Sequence, residues 1–406
     1  MGLVAILGAG MAGLRTAEAL RRNGYEGELV VVGEEAHLPY NRPPLSKEVL
    51  ADQVSHEVVA FPMRSALETV EWILGHRAVG LDLSDRVVHL DDGQRITCDG
   101  VVIATGLRPR RLPMDTPPAS GSSGRHVLRT LDDAAALRSD LGPGVRVVVL
   151  GAGFIGCEVA ATARKLGCEV TSVAIDPYPM VRPLGEQIGA EMQRRHEAQG
   201  VKFRLGVGVT GFTGSDRITG VELSSGEVLP ADVVVEAISS HCNTEWLEGS
   251  GLDISDGVLT DGLLRVCTTD GRAVDGIHAV GDLARFPNPL FDDIPRRVEH
   301  WNIPTETGKR AGAALAAFLS GAGYDGVADK PFAPMPAFWS DQYDLRIQSY
   351  GMLGIATEQR LLEGALDSDF VMGFFAGDEL VGVVGVGMLP QTNAYRAQIG
   401  AHSHAS

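Results

Sequence analysis

Two glycine triplets carry the most specific chemistry in the chain: Gly8, Gly10 and Gly13 within "ILGAGMAGL", and Gly151, Gly153 and Gly156 within "VLGAGFIGCE". In a Gly-x-Gly-x-x-Gly turn the first glycine permits the tight bend, the second lets the backbone approach a pyrophosphate, and the third lets helix pack on strand. The pyrophosphate then rests on the free amides and positive dipole of a helix N-terminus. A carboxylate about 20 residues further on would bind an adenosine ribose hydroxyl. Glu34 ends the run "LVVVGEE" in the first unit, with Glu35 as its neighbouring alternative. In the second unit the equivalent position is Ala174, and the nearest acid is Asp176. A carboxylate there selects NADH and a nearby arginine suits NADPH, so NADH is the expected coenzyme and NADPH stays open.

The elements needed to place these turns follow from apolar periodicity. Residues 2–7 read as a strand, "RTAEALRRNG" as a helix ending at Gly24, and "ELVVVGEE" as a second strand. The same order returns as "VRVVVLGAG", "CEVAATARKLG" ending at Gly167, and "CEVTSVAI". A hairpin followed by a buried strand closes each unit, in "VVHLDDGQRITCDGVVIATG" and again in "GEVLPADVVVEAIS". "RPRRLPMDTPPASGSSG" reads as a linker, "TETGKRAGAALAAFLSG" as an amphipathic helix, and the chain from about residue 330 as strand-rich. The fold class is therefore α/β, with two Rossmann-like dinucleotide-binding domains and a small C-terminal α+β domain.

Bulk properties narrow the function. With 406 residues and a formal charge of -17, the chain is long enough for two or three cores and repels nucleic acid. No apolar run approaches the length of a bilayer span, and no charged leader precedes the first strand, so no membrane association and a cytoplasmic location are expected. Cys98, Cys157, Cys168, Cys242 and Cys267 form no Cys-x-x-Cys pair and no zinc spacing. His402 and His404 near the C-terminus read as solvated polar residues, so no metal site is expected.

Five further stretches, "LPYNRPPLSK" at 38–47, "IATG" at 103–106, "AVGDLARF" at 279–286, "RVEHWN" at 297–302 and "FWSDQYDLRIQ" at 338–348, give the chain a family likeness. Along essentially its whole length it resembles the FAD-dependent ferredoxin reductases of bacterial oxygenase systems, the type of putidaredoxin reductase, rhodocoxin reductase and the reductase components of ring dioxygenases. The resemblance implies a glutathione-reductase-like arrangement: an FAD-binding domain at 1–110 and 245–325, an NAD(P)H-binding domain at 111–244, and a C-terminal domain at 326–406. It implies that Arg42 and Lys47 contact the flavin, where a lysine at the N5 edge suits arriving negative charge. It implies that Asp282 bonds the ribityl chain, that Thr105 and Gly106 turn beside the cofactor, and that Glu158 lies near the nicotinamide. A glutamate stabilising its own helix N-terminus is the alternative account of Glu158. Trp301 and Trp339 match aromatics close to the isoalloxazine, with plain core packing as the alternative, while Asn41 and Ala337 depart from the family's glutamine and tryptophan.

The implied activity is electron transfer from NADH through FAD to an iron-sulfur ferredoxin, of 2Fe-2S or 3Fe-4S type, that serves a cytochrome P450 or a Rieske ring-hydroxylating oxygenase. The first cysteine, Cys98, falls outside the region around residue 42 where peroxide-reducing relatives carry their thiol, so electrons are expected to leave singly. Arg296, Arg297, Lys309 and Arg310 are the candidate docking cations, and a solvated charged face is the other reading of them. A monomer or weak homodimer is expected. The rival functions are reduction of rubredoxin, the NADH-oxidising part of a nitrite reductase, and an NADH-sensing interaction protein of apoptosis-inducing-factor type.

Overall fold

The computed structural model describes residues 2–52, 54–114, 118 and 120–400; His402 and His404 lie outside them. The first glycine turn sits at the centre of a six-stranded sheet. Leu3–Leu7 pairs in parallel with Glu28–Gly33 on one side and with Gly100–Ile103 on the other. Glu71–Leu74 extends one edge, while Ala273–Ala279 and Arg265–Cys267 extend the other. The second glycine turn repeats the design: Arg146–Leu150 lies between Glu169–Ala174 and Val233–Glu236 in a five-stranded parallel sheet. The central strands read as unbroken Val, Ile and Leu runs because both faces are covered, and Val4, Ile6, Val101, Val149 and Val233 are fully buried.

Three-stranded antiparallel excursions close each unit, at Ala78–Thr97 in the first and Val209–Pro230 in the second. The C-terminal portion is a five-stranded antiparallel sheet running from Ala337–Gln342 to Glu379–Val386, with the helix Leu389–Arg396 beside it. Among the described residues no helix is long and apolar enough to cross a membrane.

Three features differ from the sequence-based expectation. Arg108 and Pro109, the start of the expected linker, belong to the strand Leu107–Pro109, which pairs with Ser240–Cys242, so the chain crosses twice between the two large sheets. Residues 115–117 and 119 of that stretch lie outside the description. A helix at Val181–Ala198 was hidden by Pro183 and by Gly185, whose φ of 80 interrupts the helical backbone. The helix Leu131–Asp140 begins with a capping box in which the Thr130 hydroxyl accepts from Asp133 N while the Asp133 carboxylate accepts from Thr130 N.

The first glycine-turn helix, Met11–Arg22, is clamped by Ile303–Leu319. At their crossing a Cβ on Gly308 would lie 2.9 Å from the Ala12 carbonyl oxygen, and one on Gly312 2.6 Å from Ala19 Cβ. Thr307 on the same clamping helix accepts from Gly281 N at 2.9 Å, which fixes the turn carrying Asp282.

His278 is fully buried in this sheet system, with neither ring nitrogen hydrogen-bonded. Burial, reinforced by Arg265, pushes its pKa down to about 3. The unfolded chain therefore takes up a proton at ordinary histidine pH that the folded chain refuses. Stability is expected to fall by about 1.4 kcal/mol per pH unit below pH ~6.5 from this residue alone. Denaturant unfolding of wild type and His278→Leu at neutral and mildly acid pH checks it: the variant should lose less stability on acidification, and equal losses would refute the assignment.

Candidate functional site

A cleft of about 1610 Å³ opens where the two large sheets and the C-terminal sheet meet. Its floor is the first glycine turn. Gly8 has φ +126, and a Cβ there would sit 2.0 Å from the Ala104 carbonyl oxygen, so only glycine closes this bend. Gly10 is the N-cap of Met11–Arg22, and a Cβ placed on it would meet nothing within 4 Å. Gly13 is packed away from the cleft, its Cβ position 2.0 Å from Gly8 O.

The second triplet is a near copy. Gly151 has φ +98 with its Cβ position 2.2 Å from Ala237 O, Gly153 faces open space, and a Cβ on Gly156 would be 2.0 Å from Gly151 O. The two alanine carbonyls are equivalent, since Ala104 N donates to Leu7 O and Ala237 N to Leu150 O. The second triplet and Asp176 are absent from the cleft wall, whereas Phe154, Ile155 and Glu158 from the following helix belong to it.

Glu34 lies exposed at the cleft rim, 3.4 Å from Arg77. Glu35 is already engaged, accepting from Arg42 at 2.6 Å and from the Tyr40 hydroxyl at 2.5 Å, which leaves Glu34 as the acid available to a ribose. Arg42 also donates to the Arg129 carbonyl at 2.5 Å. Thr105 and Gly106 line the wall, but the Thr105 hydroxyl donates to Asn243 O, so that side chain ties two segments together. Asp282 faces Arg129 at 3.7 Å, and burial holds its carboxyl above the ordinary range against the opposing pull of that guanidinium.

Lys47 and Glu158, 111 residues apart in sequence, meet at 2.7 Å with both side chains largely buried. Ser46 donates to the same Glu158 oxygen at 2.6 Å. Trp301 and Trp339 form an edge-to-face pair, centroids 5.0 Å apart, and Trp301 is 40% exposed at the cleft mouth rather than packed as core. Its indole N–H donates to Asn41 at 3.2 Å.

Two polar atoms in the wall fit a bound cofactor, because they are buried without any protein partner: Arg129 Nε and His300 Nδ1. Burial also pushes the His300 pKa down to about 4, which keeps the ring neutral near pH 7. With the open cradle at Gly10 and the rim carboxylate of Glu34, whose partner Arg77 is itself exposed, these groups match an elongated dinucleotide carrying a polar ring. Arg129 and Asn243 had no motif to mark them, and Ser46 and Ser340 sit inside quoted motifs without having been singled out, because each matters through a contact distant in sequence.

Among the described residues no cysteine lines the cleft. All five are free, and burial raises their thiols, Cys98 to about 11. The candidate docking cations are neutralised or enclosed: Arg296 pairs with Asp292, Arg297 with Asp256 and Glu299, and Lys309 with Glu306. Arg310 donates to the carbonyls of Gly262 and Val327. Asp176 pairs with Arg182 at 3.0 Å, which places an acid and an arginine together beyond the second unit's strand end.

Comparison with known proteins agrees with this geometry. Residues 3–308 match the pyridine nucleotide-disulphide oxidoreductase family, and residues 337–406 match the family described as reductase C-terminal. The chain is 37% identical over 349 residues to the ferredoxin reductase component of a chlorobenzene dioxygenase from Cupriavidus sp. (strain PS12), covering 86% of this chain and 80% of the relative. It is 34% identical to rhodocoxin reductase of Rhodococcus erythropolis, covering 94% of this chain and 86% of that one. Among solved structures, the covalent putidaredoxin reductase–putidaredoxin complex superposes with a TM-score of 0.88 at 30% identity, covering 98% of this chain and 92% of that chain.

Proposed function

The chain belongs to the pyridine nucleotide-disulphide oxidoreductase family, and from that premise we propose that it is a flavoprotein NADH:ferredoxin reductase. It passes electrons from NADH through FAD to a small iron-sulfur ferredoxin that serves a cytochrome P450 or a ring-hydroxylating oxygenase. One observation carries the reading. Glu158, one turn into the helix of the second glycine turn, closes an ion pair at 2.7 Å with Lys47, which lines the cleft floored by the first. Two dinucleotide cradles thus converge on a single buried point.

FAD bound in the cleft would supply the capacity to take a hydride and release its electrons one at a time. The protein's part is positioning. Gly8, Gly10 and Gly13 would let the first helix N-terminus receive the FAD pyrophosphate, Glu34 would take the adenosine ribose, and Arg42, Thr105, Gly106 and Asp282, which line the cleft, would hold the ribityl and ring portions. Lys47 presents its ammonium where negative charge arrives, and Trp301 and Trp339 exclude water from the ring edge. Gly151, Gly153 and Gly156 would receive the NADH pyrophosphate, with Asp176 assigned to its adenosine and Glu158 to its nicotinamide; the open space at Gly153 supports this. The domains are proposed as 1–110 with 245–325, 111–244 and 326–406, in a cytoplasmic protein.

The absence of a cleft cysteine supports release of electrons to an outside acceptor rather than through a thiol. The test is NADH-dependent cytochrome c reduction with and without added 2Fe-2S ferredoxin of a dioxygenase system. Turnover that rises steeply with ferredoxin supports the reading, and turnover independent of it while ferricyanide reduction is brisk would refute the assigned partner.

A further inference from the structure

The stretch "FWSDQYD" does more than supply Trp339, because three of its other side chains form a line of buried polar groups ending on Glu158. Lys47 and Ser46 both satisfy Glu158 Oε2. The other oxygen, Oε1, accepts from Ser340 Oγ at 2.6 Å, across 182 residues of sequence. Ser340 Oγ in turn accepts from Gln342 Nε2 at 3.0 Å. Gln342 Oε1 lies 2.7 Å from His196 Nε2, and His196 Nδ1 lies 3.3 Å from the half-buried Tyr343 hydroxyl.

The directions of these bonds are consistent. Gln342 offers its amide N–H to Ser340, so its carbonyl oxygen must accept from the imidazole. Burial lowers the His196 pKa and favours a neutral ring, whose one proton then sits on Nε2, leaving Nδ1 to accept from Tyr343. Tyr343, His196, Gln342 and Ser340 each donate towards the carboxylate. Ser340, Gln342 and His196 are at most 2% exposed, so water cannot substitute for any of these three. In a low-dielectric interior a fully satisfied chain of this kind is polarised along its length and fixes one geometry.

We propose that Ser340, backed by Gln342 and His196, is the positioning residue that holds the Glu158 carboxylate for hydride transfer, and this rests on the reading of the cleft as the flavin–NADH site. Lys47 and Ser46 hold one oxygen only, so the second oxygen can still swing about that anchored one as the side chain pivots. The Ser340 bond to the second oxygen removes that freedom. The C-terminal sheet thereby completes a site whose other parts belong to the two glycine-turn units.

The experiment is anaerobic stopped-flow reduction of the flavin-loaded protein by NADH, in wild type, Ser340→Ala, Gln342→Met, Glu158→Ala and the double variant Ser340→Ala/Glu158→Ala. The limiting reduction rate of Ser340→Ala should fall roughly tenfold or more, with little change in the NADH concentration giving half the limiting rate. Ser340→Thr, which keeps the hydroxyl, should recover most of the loss. In the Glu158→Ala background the Ser340 substitution should have no further effect, an outcome that a merely structural role would not give. If Ser340→Ala fails to load flavin, Gln342→Met carries the test, because it leaves Ser340 in place and breaks the next bond.

A wild-type rate in Ser340→Ala beside a slow Glu158→Ala would overturn the proposal alone. So would an equal slowing by Ser340→Ala with and without Glu158. A wild-type protein that binds no flavin would instead overturn the functional reading beneath it.

Discussion

Substituting valine for Gly10 is expected to give a folded protein that cannot retain FAD, whereas the same change at Gly153 should leave a yellow protein that NADH no longer reduces. Each glycine caps the N-terminus of its helix with φ near the extended region, -93 and -76, so a side chain imposes no backbone strain. A Cβ at either position touches nothing within 4 Å. The branched side chain therefore occupies the space a pyrophosphate must enter, without disturbing the fold. At Gly153 the rate of flavin reduction at sub-saturating NADH should drop by about a hundredfold or more, the scale of effect that misplacing a reacting ring produces. Flavin content by absorbance and unfolding by circular dichroism check both arms. A Gly10→Val protein that is as yellow as wild type would refute the first cradle. Gly8→Ala is the contrast, since its Cβ would strike the Ala104 carbonyl and damage the fold itself.

The second large effect is on stability. Glu236 ends the strand that runs beside the second glycine turn, and its side chain is fully buried. It accepts from Leu112 N at 2.6 Å, from Arg125 at 3.1 Å and from Arg111 at 3.4 Å, with Arg125 also fully buried and stacked over Phe212. Glu236→Ala removes the carboxylate from this buried group and should cost about 3–5 kcal/mol, because the remaining buried cation keeps its desolvation penalty. Because the next carbonyl, that of Ala237, is the atom against which Gly151 closes, NADH affinity should weaken as well. Guanidinium unfolding of the FAD-loaded protein measures the first effect, and a change below about 1 kcal/mol would contradict it.

The parts of the molecule legible in the sequence are those whose physics is local. Each glycine triplet predicts its own strand, turn and helix within about 30 residues, and both were found with the same steric contacts. The ion pair of Lys47 with Glu158 was visible only as two separate candidates, because nothing in either motif specifies that helix Phe154–Lys165 packs beside residues 43–47. Arg129 and Asn243 were invisible for the same reason, and Ser340, though inside the quoted FWSDQYDLRIQ, had no role assigned. The candidate docking cations differ, since acids that pair with three of the four lie close by in sequence. Asp292 is four residues before Arg296, Glu299 two after Arg297, and Glu306 three before Lys309, so charge spacing already contained the answer.

The measurement that bears most directly on two cradles serving one electron path is an anaerobic titration of the purified, flavin-loaded protein. One equivalent of NADH should bleach the yellow absorbance, and two equivalents of an oxidised 2Fe-2S ferredoxin should restore it, each taking one electron. A protein that binds no flavin, or whose flavin stays oxidised under excess NADH and NADPH, would contradict the account.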